Sequence, residues 1–167
     1  MKFNPGIDQL LSLKGKCALI TGAGSGIGKS IARRFAEAGA ALILVDINRN
    51  CLATLKEELS SPEVEVNCWH ADLSSKKEID HLWERLRNNS PAILVNNAGI
   101  YPFKHFLDVD ESLYRLVMET NLDAVYWMRQ HMIARRHNRH GTRGGARALE
   151  EGQGRLRRRT GEEARPT

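Results

Sequence analysis

The stretch ALILVD, Ala41 to Asp46, is apolar at five consecutive positions without alternation, and KCALIT, Lys16 to Thr21, has the same character upstream. A strand with one face in water alternates; a strand that does not alternate is covered on both faces. Between the two runs lie a Gly-rich turn and a segment with Ile27, Ile31, Phe35 and Ala38 along one helical face, stopped by Gly39. A strand, one helix and a second strand covered on both faces require a crossover connection, hence a parallel sheet between helical layers.

The rest of the chain extends this pattern. Leu52, Leu55 and Leu59 mark a second helix, and Val64 to Ala71 reads as a third strand, less apolar and so nearer a sheet edge. Ser75 and Glu78 form a capping box ahead of a helix that buries Ile79, Leu82, Trp83 and Leu86. Ala92 to Val95 is the fourth strand. A long helix is expected from about Asp110 to Met132, with Leu113, Leu116, Val117, Ala124, Val125 and Met128 facing inward.

The pattern stops near His137. From Ala134 to Thr167 the only large aliphatic residues are Leu149 and Leu156, and ten Arg oppose four Glu. The remaining 133 residues hold 15 basic and 16 acidic side chains, so the formal charge of +5 belongs to this segment. The basic balance therefore gives no reason to expect nucleic-acid binding by the folded part. Two regions are expected: a domain over residues 1–137 and a disordered Arg/Gly-rich tail over 138–167. No stretch is long and apolar enough for a signal peptide core or a membrane span, which makes a cytoplasmic protein the expectation. Cys17, Cys51 and Cys68 are odd in number and widely spaced, so neither a disulfide framework nor a zinc site is suggested, and no metal is expected.

The chemistry-bearing motif is TGAGSGIG, with Gly22, Gly24, Gly26 and Gly28 between the first strand and first helix. A pyrophosphate approaches the backbone only where side chains are missing, and the opening of the next helix offers it N–H groups, here those around Ser25, Gly26 and Ile27. Asp46 ends the next strand 20 residues after Gly26, where a carboxylate accepts hydrogen bonds from an adenosine ribose diol and repels a 2′-phosphate. That pairing predicts a Rossmann-type α/β, doubly wound parallel sheet of about four strands, and NAD in preference to NADP.

The spacing Gly22-x-x-x-Gly26-x-Gly28 after Thr21 resembles the short-chain dehydrogenase/reductase family. Asp72-Leu73 resembles the family's acidic-apolar pair at the adenine, Asn96-Asn97-Ala98-Gly99 its NNAG segment beside the cofactor's ribose, and Asn121 its catalytic Asn. The resemblance covers about residues 13–137. It implies hydride transfer between a small-molecule alcohol or carbonyl and NAD(H), and a homo-oligomer through helix 110–132. Taken singly, Asp72 also suits a strand end and NNAG a plain turn. Asn121 lies four residues from both Val117 and Val125, which places its amide on a buried face, where a structural hydrogen bond would also satisfy it.

In that family a Ser, a Tyr and a Lys in a Y-x-x-x-K pattern follow the catalytic Asn. No Ser or Lys follows Asn121 here; Tyr101, Tyr114 and Tyr126 have His105, Met118 and Gln130 at the fourth position on. The expectation is therefore cofactor binding at most, without turnover, in a marginally stable chain truncated or frame-shifted near Asn138. Two alternatives stand beside it: a natural basic tail for RNA or an acidic partner, and a non-enzymatic NAD(H)-binding or dimerising module.

Overall fold

A computed structural model of the chain describes residues 6–87 and 89–139, and the basic segment expected as a tail lies outside them from residue 140 onward. The chain divides into two compact units, residues 1–132 and 133–167, and everything that positions the candidate site belongs to the first.

A short helix α1 (Ile7–Leu11), which no sequence signal announced, precedes β1 (Cys17–Thr21) and α2 (Gly26–Glu37). Then come β2 (Ala41–Asp46), α3 (Arg49–Leu59), β3 (Val66–His70), α4 (Lys76–Arg85) and β4 (Ile93–Val95). The chain continues through a 3-10 turn, Phe106–Asp108, into α5 (Glu111–Met118), a π-helical turn at Glu119–Asp123 and α6 (Ala124–Arg139).

The four strands are parallel in the order β3-β2-β1-β4, with Cys17 opposite Ala41, Leu42 opposite Val66 and Ala18 opposite Ile93. This doubly wound sheet matches the expected class, with β3, the least apolar run, at one edge. The strand period of two sorts the side chains between layers. Ala18, Ile20, Leu42, Leu44 and Val66 pack with Ala32, Leu52 and Leu55 of α2 and α3. On the other face, Leu19, Ile43 and Val45 pack with Ile79, Leu82 and Trp83 of α4 and with Ala124 and Met128 of α6. The central strands are thus buried on both faces, which is why their sequences do not alternate.

Three local expectations are corrected. Ile27 is 73% exposed, because α2 begins at Gly26 and turns Gly28 and Ala32 inward, with Ile31 and Phe35 packed beside them. Leu116 is exposed, since the expected single helix is broken by the π turn, whose extra residue shifts the facing of side chains across it. In the capping box, Ser75 accepts from the Glu78 N–H as expected, but the Glu78 carboxylate accepts from the backbone N–H of Asp72 at 2.8 Å. This tethers the β3–α4 connection.

Asp110 caps α5 by accepting from the Leu113 N–H and the Ser112 hydroxyl, with Lys104 alongside. The Ser112 hydrogen bond, then the Leu113 N–H and Lys104, hold its carboxyl down at about 2. A depressed folded-state value means the cap stabilises fully above the ordinary carboxylate range and weakens as pH falls toward about 2. Asp110→Ala is expected to lower the melting temperature at neutral pH, with the gap from the parent closing between about pH 4 and pH 2. Melting curves across that range check it; a pH-independent gap would refute it.

Candidate functional site

All four strands end in the same direction, and the residues singled out in the sequence lie at or beyond their carboxyl ends, where open α/β sheets bind ligands. The centre of this region is a hydrogen-bonded knot around Thr21, whose side chain is 2% exposed. Its hydroxyl donates to the Val95 carbonyl at 3.3 Å and accepts from the N–H groups of Asn97 and Ala98, each at 3.0 Å. The Asn97 side-chain amide donates back to the carbonyls of Thr21 and Gly22 at 3.0 and 3.1 Å. One hydroxyl and one amide thereby fix the Gly-rich turn to the segment after β4.

The glycines divide by what surrounds them. A Cβ on Gly22 would sit 2.8 Å from the Ala98 Cα, and one on Gly28 would strike the Gly22 carbonyl oxygen and lie 2.5 Å from the Asn97 Nδ2. These two are required by close packing of turn, helix and NNAG segment. Gly26 differs: its φ is +52° and nothing lies within 4 Å of a Cβ built there. Ser25, Gly26 and Ile27 are exposed at the opening of α2, and Ser25 provides no side-chain cap to its N–H groups. Bare backbone ahead of an uncapped helix start is what a pyrophosphate requires, so the turn fits a dinucleotide.

Asp46, half-buried at the end of β2, accepts from the Gly24 N–H through Oδ2 and from the Asn48 N–H through Oδ1, each at 2.8 Å. Each oxygen retains a further acceptor site. The carboxylate therefore shapes the β1–α2 turn as well as facing any ligand in it. A Cβ on Gly24 would stand 3.0 Å from the Asp46 Cγ, so that turn and carboxylate are in contact.

Asp72 is turned partly inward on its own loop: Oδ1 accepts from both the N–H and the hydroxyl of Ser74, at 2.9 and 2.7 Å. The Leu73 side chain is buried in the core with Ile79 and Leu82. Asn121 is exposed, which corrects the expectation of a buried amide. It lies in the π turn, and its amide makes a two-point bond to one backbone unit: Oδ1 accepts from the Ile100 N–H and Nδ2 donates to the Ile100 carbonyl, both at 2.8 Å. Gly99 stands beside this bond, since a Cβ there would lie 3.2 Å from the Asn121 Oδ1 and crowd it by a few tenths of an ångström.

The structure thus joins Gly22, Gly28, Asn97 and Ala98 in one cluster, Gly24 with Asp46 in a second, and Gly99 with Asn121 in a third. Asp72 lies two residues past His70, the strand partner of Asp46. Thr21 was missed as a site residue, although a hydroxyl at the end of an apolar strand, directly before a Gly-rich turn, was the available signal. Lys29 and Arg33 of α2 both pair with Glu58 of α3.

Comparison with known proteins bears on this arrangement. The family model described as short chain dehydrogenase matches residues 16–143. The chain is 36% identical over 118 residues to 3beta-hydroxysteroid dehydrogenase 2 of Eggerthella lenta, covering 69% of this chain and 45% of that one. It is 30% identical over 132 residues to the NAD-dependent glycerol dehydrogenase of Listeria innocua, covering 75% and 49%. Among solved structures, L-sorbose reductase from Gluconobacter frateurii complexed with NADPH and L-sorbose superposes with a TM-score of 0.68 at 28% identity, over 77% of this chain and 50% of that one. The chain spans about half the length of the relatives it matches.

Proposed function

The chain belongs to the short-chain dehydrogenase family, and from that premise we propose that it binds NAD(H) at the β1–α2 turn, in preference to NADP(H), without catalysing turnover. Members of this oxidoreductase family use NAD or NADP with small-molecule alcohol or carbonyl substrates. The observation that carries the reading is the knot of Thr21, Asn97, Gly22 and Gly28, which holds the Gly-rich turn rigid with its outer side bare at Gly26.

In this reading the opening of α2, at Ser25, Gly26 and Ile27, takes the pyrophosphate, and the remaining acceptor sites of Asp46 take the adenosine ribose diol. A 2′-phosphate in place of that hydroxyl meets the carboxylate, which supports the preference for NAD. Asp72 and Leu73 bound the adenine, and Asn97, Ala98 and Gly99 border the second ribose. Bound NAD supplies a hydride acceptor. The absence of turnover is part of this reading because residues 122–167 hold no Ser or Lys with which to build the family's proton-transfer set, while the Asn121 amide is held by the Ile100 backbone.

Titration of the purified chain with NADH, followed by fluorescence, is expected to saturate and to be reversed by NAD+. Asp46→Ala is expected to weaken binding about tenfold, for two charge-assisted hydrogen bonds lost. Alcohol oxidation assays on the same sample are expected to stay at the background rate. Turnover that copurifies with the chain and disappears in Asp46→Ala would refute the proposal.

A second reading, a module that pairs with a copy of itself or an intact family member, has one observation in its favour. Tyr114, Leu122 and Tyr126 along α5, the π turn and α6 are each more than half exposed. Sedimentation of the same samples separates the readings: a defined dimer supports it and a monomer excludes self-pairing.

A further inference from the structure

The connection after β3 is held from the start of α4. Glu78, in the first turn of that helix, accepts from the Asp72 N–H through Oε2 at 2.8 Å, and the N–H of the N-cap Ser75 donates to the Asp72 carbonyl at 3.2 Å. Both backbone groups of Asp72 are therefore fastened to a helix whose Ile79, Leu82 and Trp83 are buried in the core. The usual partner of a glutamate at this position is the N–H of its own N-cap, which here is already given to Asp72. The Asp72 side chain is held as well, since Oδ1 accepts twice from Ser74, and burial of the Leu73 side chain pins the next residue. Among the described residues, Asp72 Oδ2 and the Leu73 N–H are left without a partner. A carboxylate acceptor beside a backbone donor is complementary to the amino group and N1 of adenine.

Given the dinucleotide reading of the Gly-rich turn, on which this rests, we infer that Glu78 is a positioning residue for base selection: it holds the Asp72–Leu73 backbone so that acceptor and donor meet the adenine edge together. The glutamate touches no ligand itself. Its effect comes through the peptide it fastens, because two hydrogen bonds to one flat edge form together only when the groups that make them are fixed. Hypoxanthine, with an oxo group for the amino group and an N–H at N1, reverses the pattern and sets acceptor against acceptor and donor against donor. Glu78 is exposed, so its contribution is modest.

The test is the affinity of the full chain for NAD+, its hypoxanthine analogue, 5′-AMP and 5′-IMP, for the parent, Glu78→Ala and Glu78→Gln, with a thermal melt of each. The parent is expected to favour the adenine compounds about tenfold. Glu78→Ala should weaken them about fivefold while leaving the hypoxanthine compounds within about twofold, so that the preference nearly disappears. Glu78→Gln keeps an acceptor oxygen and should keep most of the preference. Equal loss for both bases, as a merely structural role would give, or no loss for either, would overturn the inference while leaving NAD binding intact. So would a folded parent that binds both bases alike, a result that needs no variant. Failure of the folded parent to bind NAD+ at all would overturn both this inference and the reading beneath it.

Discussion

Gly28→Ala is expected to abolish nucleotide binding and to destabilise the domain by about 1–3 kcal/mol, the usual cost of overpacking a closed site. The added methyl group has nowhere to go. It would strike the Gly22 carbonyl oxygen and lie 2.5 Å from the Asn97 Nδ2, and that amide is already bonded to the carbonyls of Thr21 and Gly22. Relief requires α2 to move away from the turn, which carries the bare backbone at Gly26 out of place. Gly26→Ala is the informative companion. Its Cβ meets nothing, so its cost is confined to the backbone at φ +52°, about 1 kcal/mol, while the methyl group projects into the ligand's space. NADH titrations and thermal melts on both variants check this. Gly28→Ala with parental affinity would contradict the account of the turn.

The second large effect is expected at Thr21. Thr21→Val keeps the shape and removes the hydroxyl, leaving the Asn97 and Ala98 N–H groups without the partner that serves both. Two donors stripped at a site that is 2% exposed cost roughly 3 kcal/mol together, and such a loss lowers the melting temperature of a domain this size by about 10 °C. Thr21→Ser retains the hydroxyl and should recover most of that loss. Binding should fall in Thr21→Val as well, because the knot that fixes the turn is opened. If valine and serine variants melt together near the parent, the hydroxyl does not fasten the turn.

Much of the fold was written in the apolar pattern. ALILVD reads as a strand covered on both faces, and β2 occupies those six residues between two helical layers. The weaker apolar character of Val64 to Ala71 likewise places β3 at an edge. These readings hold because burial on both faces leaves a one-dimensional trace. What depends on backbone geometry leaves none. The π turn at Glu119–Asp123 adds one residue to a helical path, and periodicity carried through it puts Asn121 and Leu116 on the wrong face. The type of a side chain also does not disclose its partner. The Glu78 carboxylate serves Asp72 rather than its own helix cap, and the Asp72 oxygen expected at a ligand is bonded to Ser74. Thr21 was read only as the residue before the glycines, because its hydrogen-bonding role comes from three groups about 75 residues along the chain, brought to it by pairing of β1 with β4.

The Gly-rich turn, Asp46 and the Thr21 knot all lie within the described residues.

The most direct test is amide hydrogen exchange on the full chain with and without NAD+. The account predicts added protection at residues 22–28, at 46–49 and at 96–100, with the core of β2 unchanged because it is already buried. Protection confined to α5 and α6, or no change at the Gly-rich turn under conditions where the chain is folded and NAD+ is in excess, would contradict it.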